Sequence, residues 1–202
     1  MTKKDSLKNY REKRNFSRTP EPAGEAPRYH SEKPIFVIQK HKARNLHYDL
    51  RLEIGGVLKS WAVPKGPSAD PKIKRLAVAT EDHPMEYAQF EGAIPEGDYG
   101  AGVVLVWDTG TYSNLTQKKG RTLSIESAVE DGHLSVWLDG EKLKGGYSLT
   151  RFKRGTRDQW LLVKMNDKEA NPPNDPVASQ PNSVLTGRSL EEIATEIATL
   201  DS

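Results

Sequence analysis

Between His47 and Val63 the chain has little freedom in what it can form. From His47 onward the side chains alternate: His47, Asp49, Arg51 and Glu53 share one parity, and Tyr48, Leu50, Leu52 and Ile54 take the other. A strand sends successive side chains to opposite faces, so this stretch offers an apolar face to a core and a polar face elsewhere. Gly55-Gly56 is a hairpin signal, and Val57-Leu-Lys-Ser-Trp-Ala-Val63 returns as its partner strand.

The polar face carries an imidazole, a carboxylate and a guanidinium side by side. Two residues along a strand span about 7 Å, so His47 and Asp49 can share one ion if the strand curves or the side chains lean together. His41 lies six residues earlier, far enough for a turn to return it as a third ligand. Two His and one carboxylate form the donor set of open divalent-metal sites, whose remaining positions take water or substrate oxygen. Arg51, next on the same face, is placed to hold an anion against that metal. An ordinary solvated strand face explains the same alternation, and His-x-Asp also occurs by chance.

The 202 residues suffice for one domain with tails. Hydrophobic residues make up 35% and mean hydropathy is −0.72, low enough that part of the chain is expected to be solvated tail. With no cysteine, disulfides, thiolate nucleophiles and Cys-type zinc sites are excluded, and any metal falls to His and carboxylates. The chain opens Met-Thr-Lys-Lys-Asp without an apolar segment, which reads as a cytoplasmic protein with neither signal peptide nor membrane span. The net charge of +2 does not itself imply nucleic acid. Residues 1–33, however, hold nine Lys/Arg against five acidic residues. A basic arm there fits phosphate contact and equally a soluble tail.

Three regions follow: a basic N-terminal arm over 1–33, a β-barrel domain over 34–166, and a linker with a C-terminal helix over 167–202. In the arm, Ser6 to Phe16 can form a short helix, and Arg18 to Lys33 reads as extended. Ile35-Phe-Val-Ile38 opens the folded part. Lys65 sits in the tight turn Pro64-Lys-Gly-Pro67, and Arg75 begins the strand Arg75–Thr80. The loop Glu81-Asp-His-Pro-Met-Glu-Tyr87 follows, with His83 and Tyr87 four apart, both able to reach a phosphoryl oxygen. Phe90 to Gly102 is glycine-rich but lacks the Gly-Lys-Ser/Thr ending of a phosphate loop, and the strand Val103–Trp107 follows it instead of a helix. Asp108-Thr-Gly110 reads as a turn, and Leu123–Ala128 fits no single element. Gly132–Leu138, Gly145–Phe152 and Trp160–Met165 are strand-like, the last two joined by the basic turn Lys153-Arg-Gly-Thr-Arg157. Many short strands without long helices point to an all-β, mainly antiparallel fold, a barrel or sandwich. His133 reads as structural. Asn166–Ser183 reads as linker, and Thr186 or Ser189 can cap a final helix with Leu190, Ile193, Ile197 and Leu200 at helical spacing.

Taken together, the chain resembles the 3′-phosphoesterase domain of bacterial DNA ligase D and its stand-alone relatives. The matching stretches are His47–Glu53, Trp61-Ala-Val-Pro-Lys-Gly-Pro67, Glu81-Asp-His-Pro84, Phe90–Gly102, Trp107-Asp-Thr-Gly110 and Trp160-Leu-Leu-Val-Lys164, in that order from about Tyr10 to the chain's end. The resemblance implies a small closed β-barrel and a manganese-dependent hydrolase, with Co²⁺ or Zn²⁺ as alternative metals. It implies removal of a 3′-terminal ribonucleoside by a phosphodiesterase cut, then of the 3′-phosphate by a phosphomonoesterase step. The substrate is a primer–template 3′ end, in company with ligase, polymerase or Ku-type repair partners and no membrane.

Carried over by residue, His41, His47 and Asp49 are the implied metal ligands. Arg51, His83 and Tyr87 are the implied phosphate contacts, supported by Lys65, Arg75 and Glu81. Arg14 and Glu21 are implied arm residues, and Asn15 stands where many relatives carry Asp. His83, with its near-neutral ordinary pKa, is expected to donate a proton to the leaving oxygen. Two rivals remain at this point: a cupin-like metalloenzyme, which usually wants His-x-His where this chain has Asp49, and a non-catalytic DNA-end-binding barrel.

Overall fold

A computed structural model describes residues 5–24 and 33–200, with side chains of the final helix described as far as residue 196. The elements run α1 (Lys8–Glu12), β1 (Ile35–Lys42), β2 (Leu46–Ile54), β3 (Val57–Val63), β4 (Lys74–Ala79), β5 (Gly92–Ile94), β6 (Gly102–Asn114), β7 (Gln117–Lys118), β8 (Arg121–Thr122), α2 (Ile125–Asp131), β9 (His133–Gly140), β10 (Lys144–Lys153), β11 (Gln159–Lys164), α3 (Pro176–Ser179) and α4 (Leu190–Leu200). A 3-10 turn over Met85–Gln89 lies between β4 and β5.

Antiparallel pairing runs β1-β2-β3-β4-β11-β10-β9-β6, and β6 pairs back onto β1, closing an eight-stranded barrel with β5 added on β6. Closure removes exposed sheet edges among these strands. The long strand β6 makes it possible: residues 103–111 pair with β1 and 110–114 with β9. The expected turn at Asp108–Gly110 is therefore corrected to continuous strand. Asp108 has a different task, accepting the backbone N–H groups of Glu141 (2.9 Å), Lys142 (3.0 Å) and Leu143 (2.9 Å) to seal the β9–β10 turn. Opposite Ile38 and Gln39 the register skips Trp107, a bulge that bends β6 against β1.

Alternation fills the barrel as expected. Tyr48, Leu50, Leu52 and Ile54 of β2 join Phe36, Ile38, Trp61, Leu105, Trp107, Leu149 and Trp160 in one interior cluster. The turn at Gly55 and Gly56 has positive φ at both residues (64° and 82°), which matches the twist of the hairpin it joins. The opposite face of β1–β3 is covered as well. Val37, Leu58 and Val106 form a second cluster with Tyr10 of α1 and with Tyr87 and Ala88 of the 3-10 turn.

That second layer changes the reading of both termini. The helix expected over Ser6–Phe16 is only the five residues of α1, and residues 18–24 are not a solvated extended arm. Tyr10 is fully buried, its hydroxyl donating to the Pro22 carbonyl at 2.7 Å, so the segment folds back on itself over the barrel wall. The rest of the expected arm, residues 25–32, lies outside the described residues. The expected linker also packs: Trp107 Nε1 donates to Gln180 O (2.7 Å), and Val184 N donates to Val106 O (3.0 Å). Leu123–Ala128 resolves into the start of α2, capped by Ser124. Ser189 rather than Thr186 caps α4, with Glu192 N on Ser189 Oγ (3.2 Å) and Ser189 N on Glu192 Oε2 (2.7 Å), a reciprocal capping box. Leu190 and Ile193 reach the core; the side chains of Ile197 and Leu200 lie outside the described residues. No helix among the described residues is long and apolar enough to cross a membrane.

Candidate metal and phosphate site

The β1–β2 turn brings His41 directly opposite His47 in the antiparallel register. Their rings lie 4.8 Å apart, and Asp49, one strand repeat further, reaches both: 3.8 Å from Oδ2 to His41 Nδ1 and 3.6 Å from Oδ1 to His47 Nε2. One ligand atom from each of the three falls within 4.8 Å of the others. Local sequence explains the closeness. Gly102, at φ 139°, lets β6 pass against the turn, where a Cβ would lie 2.2 Å from Lys42 O. His47 Nδ1 bonds the Asn45 carbonyl at 3.0 Å, which makes Nδ1 the protonated nitrogen and leaves the Nε2 lone pair facing Asp49. His41 Nε2 is buried with no hydrogen-bond partner among the described residues. An orphaned imidazole nitrogen beside a second imidazole and a carboxylate fits a divalent cation better than a satisfied polar cluster.

Arg51 adjoins this triad on the same strand face, and it is 3% exposed. Its Nε donates to Gln39 Oε1 (2.7 Å), Nη1 to Ser60 Oγ (2.9 Å) and Nη2 to Asp49 Oδ2 (3.2 Å). Three of five N–H groups are thereby committed, and two remain for an anion. Gln39 is fixed in turn by donating to the carbonyls of Tyr87 and Phe90. Burial by itself would raise the Asp49 pKa. The Arg51 guanidinium, followed by His41 and His47, outweighs it and holds the carboxyl well below the usual range.

His83 is locked by a two-bond bridge to Leu58, and its ring meets Tyr10 and Tyr87 edge-on at 5.1 and 4.8 Å. Its Nδ1 lies 2.9 Å from the Glu81 carbonyl, which can only accept, so Nδ1 carries the hydrogen. Nε2 faces Arg14 Nη2 at 3.4 Å and is the accepting nitrogen. Burial, then Arg51 and Arg14, pushes the pKa of His83 well below its ordinary value. In this arrangement the ring presents a lone pair at Nε2.

The arm supplies a second guanidinium. Arg14 donates to Glu21 Oε1 (2.9 Å), Tyr10 O (3.1 Å) and Glu81 Oε1 (3.3 Å), and it stacks 3.8 Å from the Tyr10 ring centroid. Glu21 also accepts from the Tyr87 hydroxyl (2.8 Å) and from Thr19 Oγ1 (2.9 Å). Burial, followed by Glu21, keeps Tyr87 protonated far above its ordinary pKa. Lys13 bonds the other Glu81 oxygen at 3.0 Å.

His41, His47, Asp49, Arg51, His83, Tyr87, Glu81, Arg14 and Glu21 thus meet in one hydrogen-bonded and ring-stacked assembly. Lys65 and Arg75 do not join it by any hydrogen bond or ion pair among the described residues. Lys65 is exposed in its turn, whose Gly66 N closes on Val63 O at 3.0 Å. Arg75 pairs in register with core residue Leu162, and its Nε is buried without a hydrogen-bond partner among the described residues. Asn15 is exposed and spends its side-chain oxygen on Ser17 N and Oγ, capping its own turn. Sequence reasoning missed Gln39, Ser60 and Tyr10. The first two were visible only as polar residues on the strand face opposite the barrel interior, and Tyr10 as an aromatic in a tail read as solvated.

A family model described as the DNA Ligase D 3′-phosphoesterase domain matches residues 39–151. The chain is 50% identical over 194 residues to the multifunctional non-homologous end joining protein LigD of Pseudomonas aeruginosa, covering 94% of this chain and 22% of that protein. To the LigD proteins of Mycobacterium tuberculosis and Mycolicibacterium smegmatis it is 44% identical, over 82% and 85% of this chain and 20% and 22% of theirs. The chain therefore spans about a fifth of the length of these relatives. With more than half of its residues within the matched range, which spans His41, His47 and Asp49, the chain belongs to the DNA ligase D 3′-phosphoesterase domain family.

Proposed function

We propose that the chain is a metal-dependent phosphoesterase that trims DNA 3′ ends. It removes a 3′-terminal ribonucleoside by phosphodiester hydrolysis and then the 3′-phosphate, leaving 3′-OH for repair by end joining. The observation that carries this reading is the triad of His41, His47 and Asp49 abutting a guanidinium that keeps two unspent N–H groups. Family membership and relatives named for end joining support DNA ends as substrate, with a ligase, polymerase or Ku-type protein as partner.

His41, His47 and Asp49 would hold the ion. Nitrogen and oxygen donors without thiolate suit Mn²⁺, and Co²⁺ or Zn²⁺ suit the same set. When bound, the ion polarises a phosphoryl oxygen and neutralises charge. The remaining work belongs to the chain. Arg51, fixed by Gln39, Ser60 and Asp49, orients the phosphate through its free N–H pair. Arg14 brings a second positive charge beside His83. Neutral His83 accepts a proton at Nε2, the role suited to activating water. Tyr87, with its hydroxyl tied to Glu21, stays protonated and shapes the wall behind Arg51, whose guanidinium lies 4.8 Å from its ring centroid.

The test is a 5′-labelled primer–template ending in one ribonucleotide, incubated with protein and Mn²⁺ beside a His47→Ala control. Shortening to a 3′-phosphate and then to 3′-OH, lost in the variant and in chelator, is the expected result. No product from this substrate or from a 3′-phosphate end, with DNA binding retained, would overturn it in favour of a binding barrel.

A further inference from the structure

The basic turn between β10 and β11 takes no part in the site described above, yet it faces it. Between Arg151 and Lys153 the β10–β11 register slips by one residue, so Phe152 bulges and the hairpin tip is re-aimed. The tip reaches the β5–β6 loop, where Arg157 Nη2 bonds the Tyr99 hydroxyl at 3.3 Å, and Lys13 of the arm sits 4.6 Å above the same ring. Between hairpin and arm lies an open cavity of about 320 Å³, lined by Asn9, Lys13, Glu81, Thr156, Arg157 and Asp158. Two of these residues, Lys13 and Glu81, belong to the network that holds Arg14 beside His83.

The charges in the hairpin are unequally spent. Arg151 is paired with Asp158 at 3.2 Å, and Asp158 also accepts from Gly155 N to close the turn. Lys153, Arg154 and Arg157 are exposed and have no carboxylate partner among the described residues. Glu81, the other acid of the cavity, is already neutralised by Lys13 and Arg14. Three unspent cations on a stiff two-stranded tip, next to a half-exposed tyrosine, suit a regularly spaced polyanion better than a single small anion.

We propose that the groove between the β10–β11 hairpin and the arm holds the sugar–phosphate backbone of the DNA behind the processed 3′ end. Lys153, Arg154 and Arg157 contact its phosphates, and Tyr99 and Lys13 form the wall shared with the reaction centre. This rests on the proposed DNA-end activity and adds to it a binding surface that serves all sequences alike. Contacts of this kind position the strand without reading bases.

The experiment compares the parent with Lys153→Gln/Arg154→Gln/Arg157→Gln, and with Lys118→Gln/Lys119→Gln/Arg121→Gln as an equal loss of charge on the β7–β8 hairpin. Binding of a fluorescein-labelled duplex is followed by anisotropy without metal, between about 50 and 200 mM salt. Each phosphate contact contributes about 0.9 to the slope of log affinity against log salt, so the hairpin variant should lose about 2 to 3 from that slope. In turnover its KM should rise at least about ten-fold at the low-salt end, with kcat within about two-fold. An unchanged slope, or an equal loss in the β7–β8 variant, overturns the proposal. If the parent itself fails to process 3′ ends, the phosphoesterase reading falls, and the slope comparison still decides the groove.

Discussion

Glu21 is the hub on which the docked arm depends, and Glu21→Gln isolates its charge. The carboxylate side chain is fully buried and accepts from Arg14, Tyr87 and Thr19 at 2.8–2.9 Å. Gln keeps the shape but turns one acceptor into a donor and leaves Arg14, 4% exposed, without its nearest negative charge. Removing one partner of a buried ion pair costs about 3–5 kcal/mol. Arg14 retains Glu81 at 3.3 Å, so the lower end applies, about 3 kcal/mol. At 1.36 kcal/mol per decade this is a roughly 100-fold rise in opening of the arm. Because the segment is held to the barrel wall by Tyr10 and by polar ties from Lys13, Arg14 and Glu21 to Glu81 and Tyr87, and no strand pairing among the described residues runs through it, the loss should be local. Hydrogen exchange read by mass spectrometry should accelerate by that factor over residues 7–24 and not in β2, β6 or β10. Adding Arg14→Met removes the stranded cation, so the double variant should recover at least about ten-fold of the lost protection. Arm exchange within about three-fold of the parent in Glu21→Gln, or simple additivity in the double variant, would refute the hub.

Arg51→Lys cannot satisfy Gln39, Ser60 and Asp49 from one ammonium, so turnover should fall about 10²- to 10³-fold, of the order lost with a preorganised donor. Steady-state kinetics with fully loaded Mn²⁺ tests it, and a loss under ten-fold would mean that charge alone suffices. Gly102→Ala places a Cβ 2.2 Å from Lys42 O at a φ few other residues adopt. It should cost about 3 kcal/mol or more, lowering the melting temperature by about 6–12 °C, and it should weaken Mn²⁺ binding measured by calorimetry. A shift under 2 °C would exclude the close approach. His83 is neutral when folded, its pKa pushed well below 6.5 by burial, Arg51 and Arg14. The unfolded chain therefore takes up the proton first as pH falls, and stability declines on going below about pH 6.5. Denaturant melts at pH 7 and 5 should show a smaller drop for His83→Gln than for the parent, and equal drops would contradict a neutral folded imidazole.

How much of this could be read in advance follows from where the forces are local. The β2 alternation, the Gly55-Gly56 turn and the return strand depend on neighbours in sequence, and all three stand as expected. His41 was recoverable because a short turn separates it from its register partner His47. What escaped depends on closure. Only when β6 pairs with both β1 and β9 does the outer face of β1–β3 become an interior that wants a cover. Asp49 and Arg51 were then buried where a solvated face was the simpler reading, and Gln39 and Ser60 became braces. The arm gave no periodic signal because its docking relies on one aromatic, Tyr10, and on polar ties such as Arg14–Glu81 and Glu21–Tyr87, which no local pattern marks.

The same arrangement ties assembly of the site to docking of the arm. The barrel wall alone presents the triad and Arg51, all on β1 and β2. Arg14 reaches His83 only from the arm, and Tyr87 finds its hydroxyl partner only in Glu21. One equilibrium thus governs both the second cation and the packing that excludes water from His83. A phosphate held between Arg51 and Arg14 gains the second cation only in the docked state, so it favours docking to the extent that it binds that state more tightly. Under the proposed function, substrate binding and completion of the site are then one event, and the ties of Arg14 to Glu81 and of Glu21 to Tyr87 set how much of the site exists beforehand.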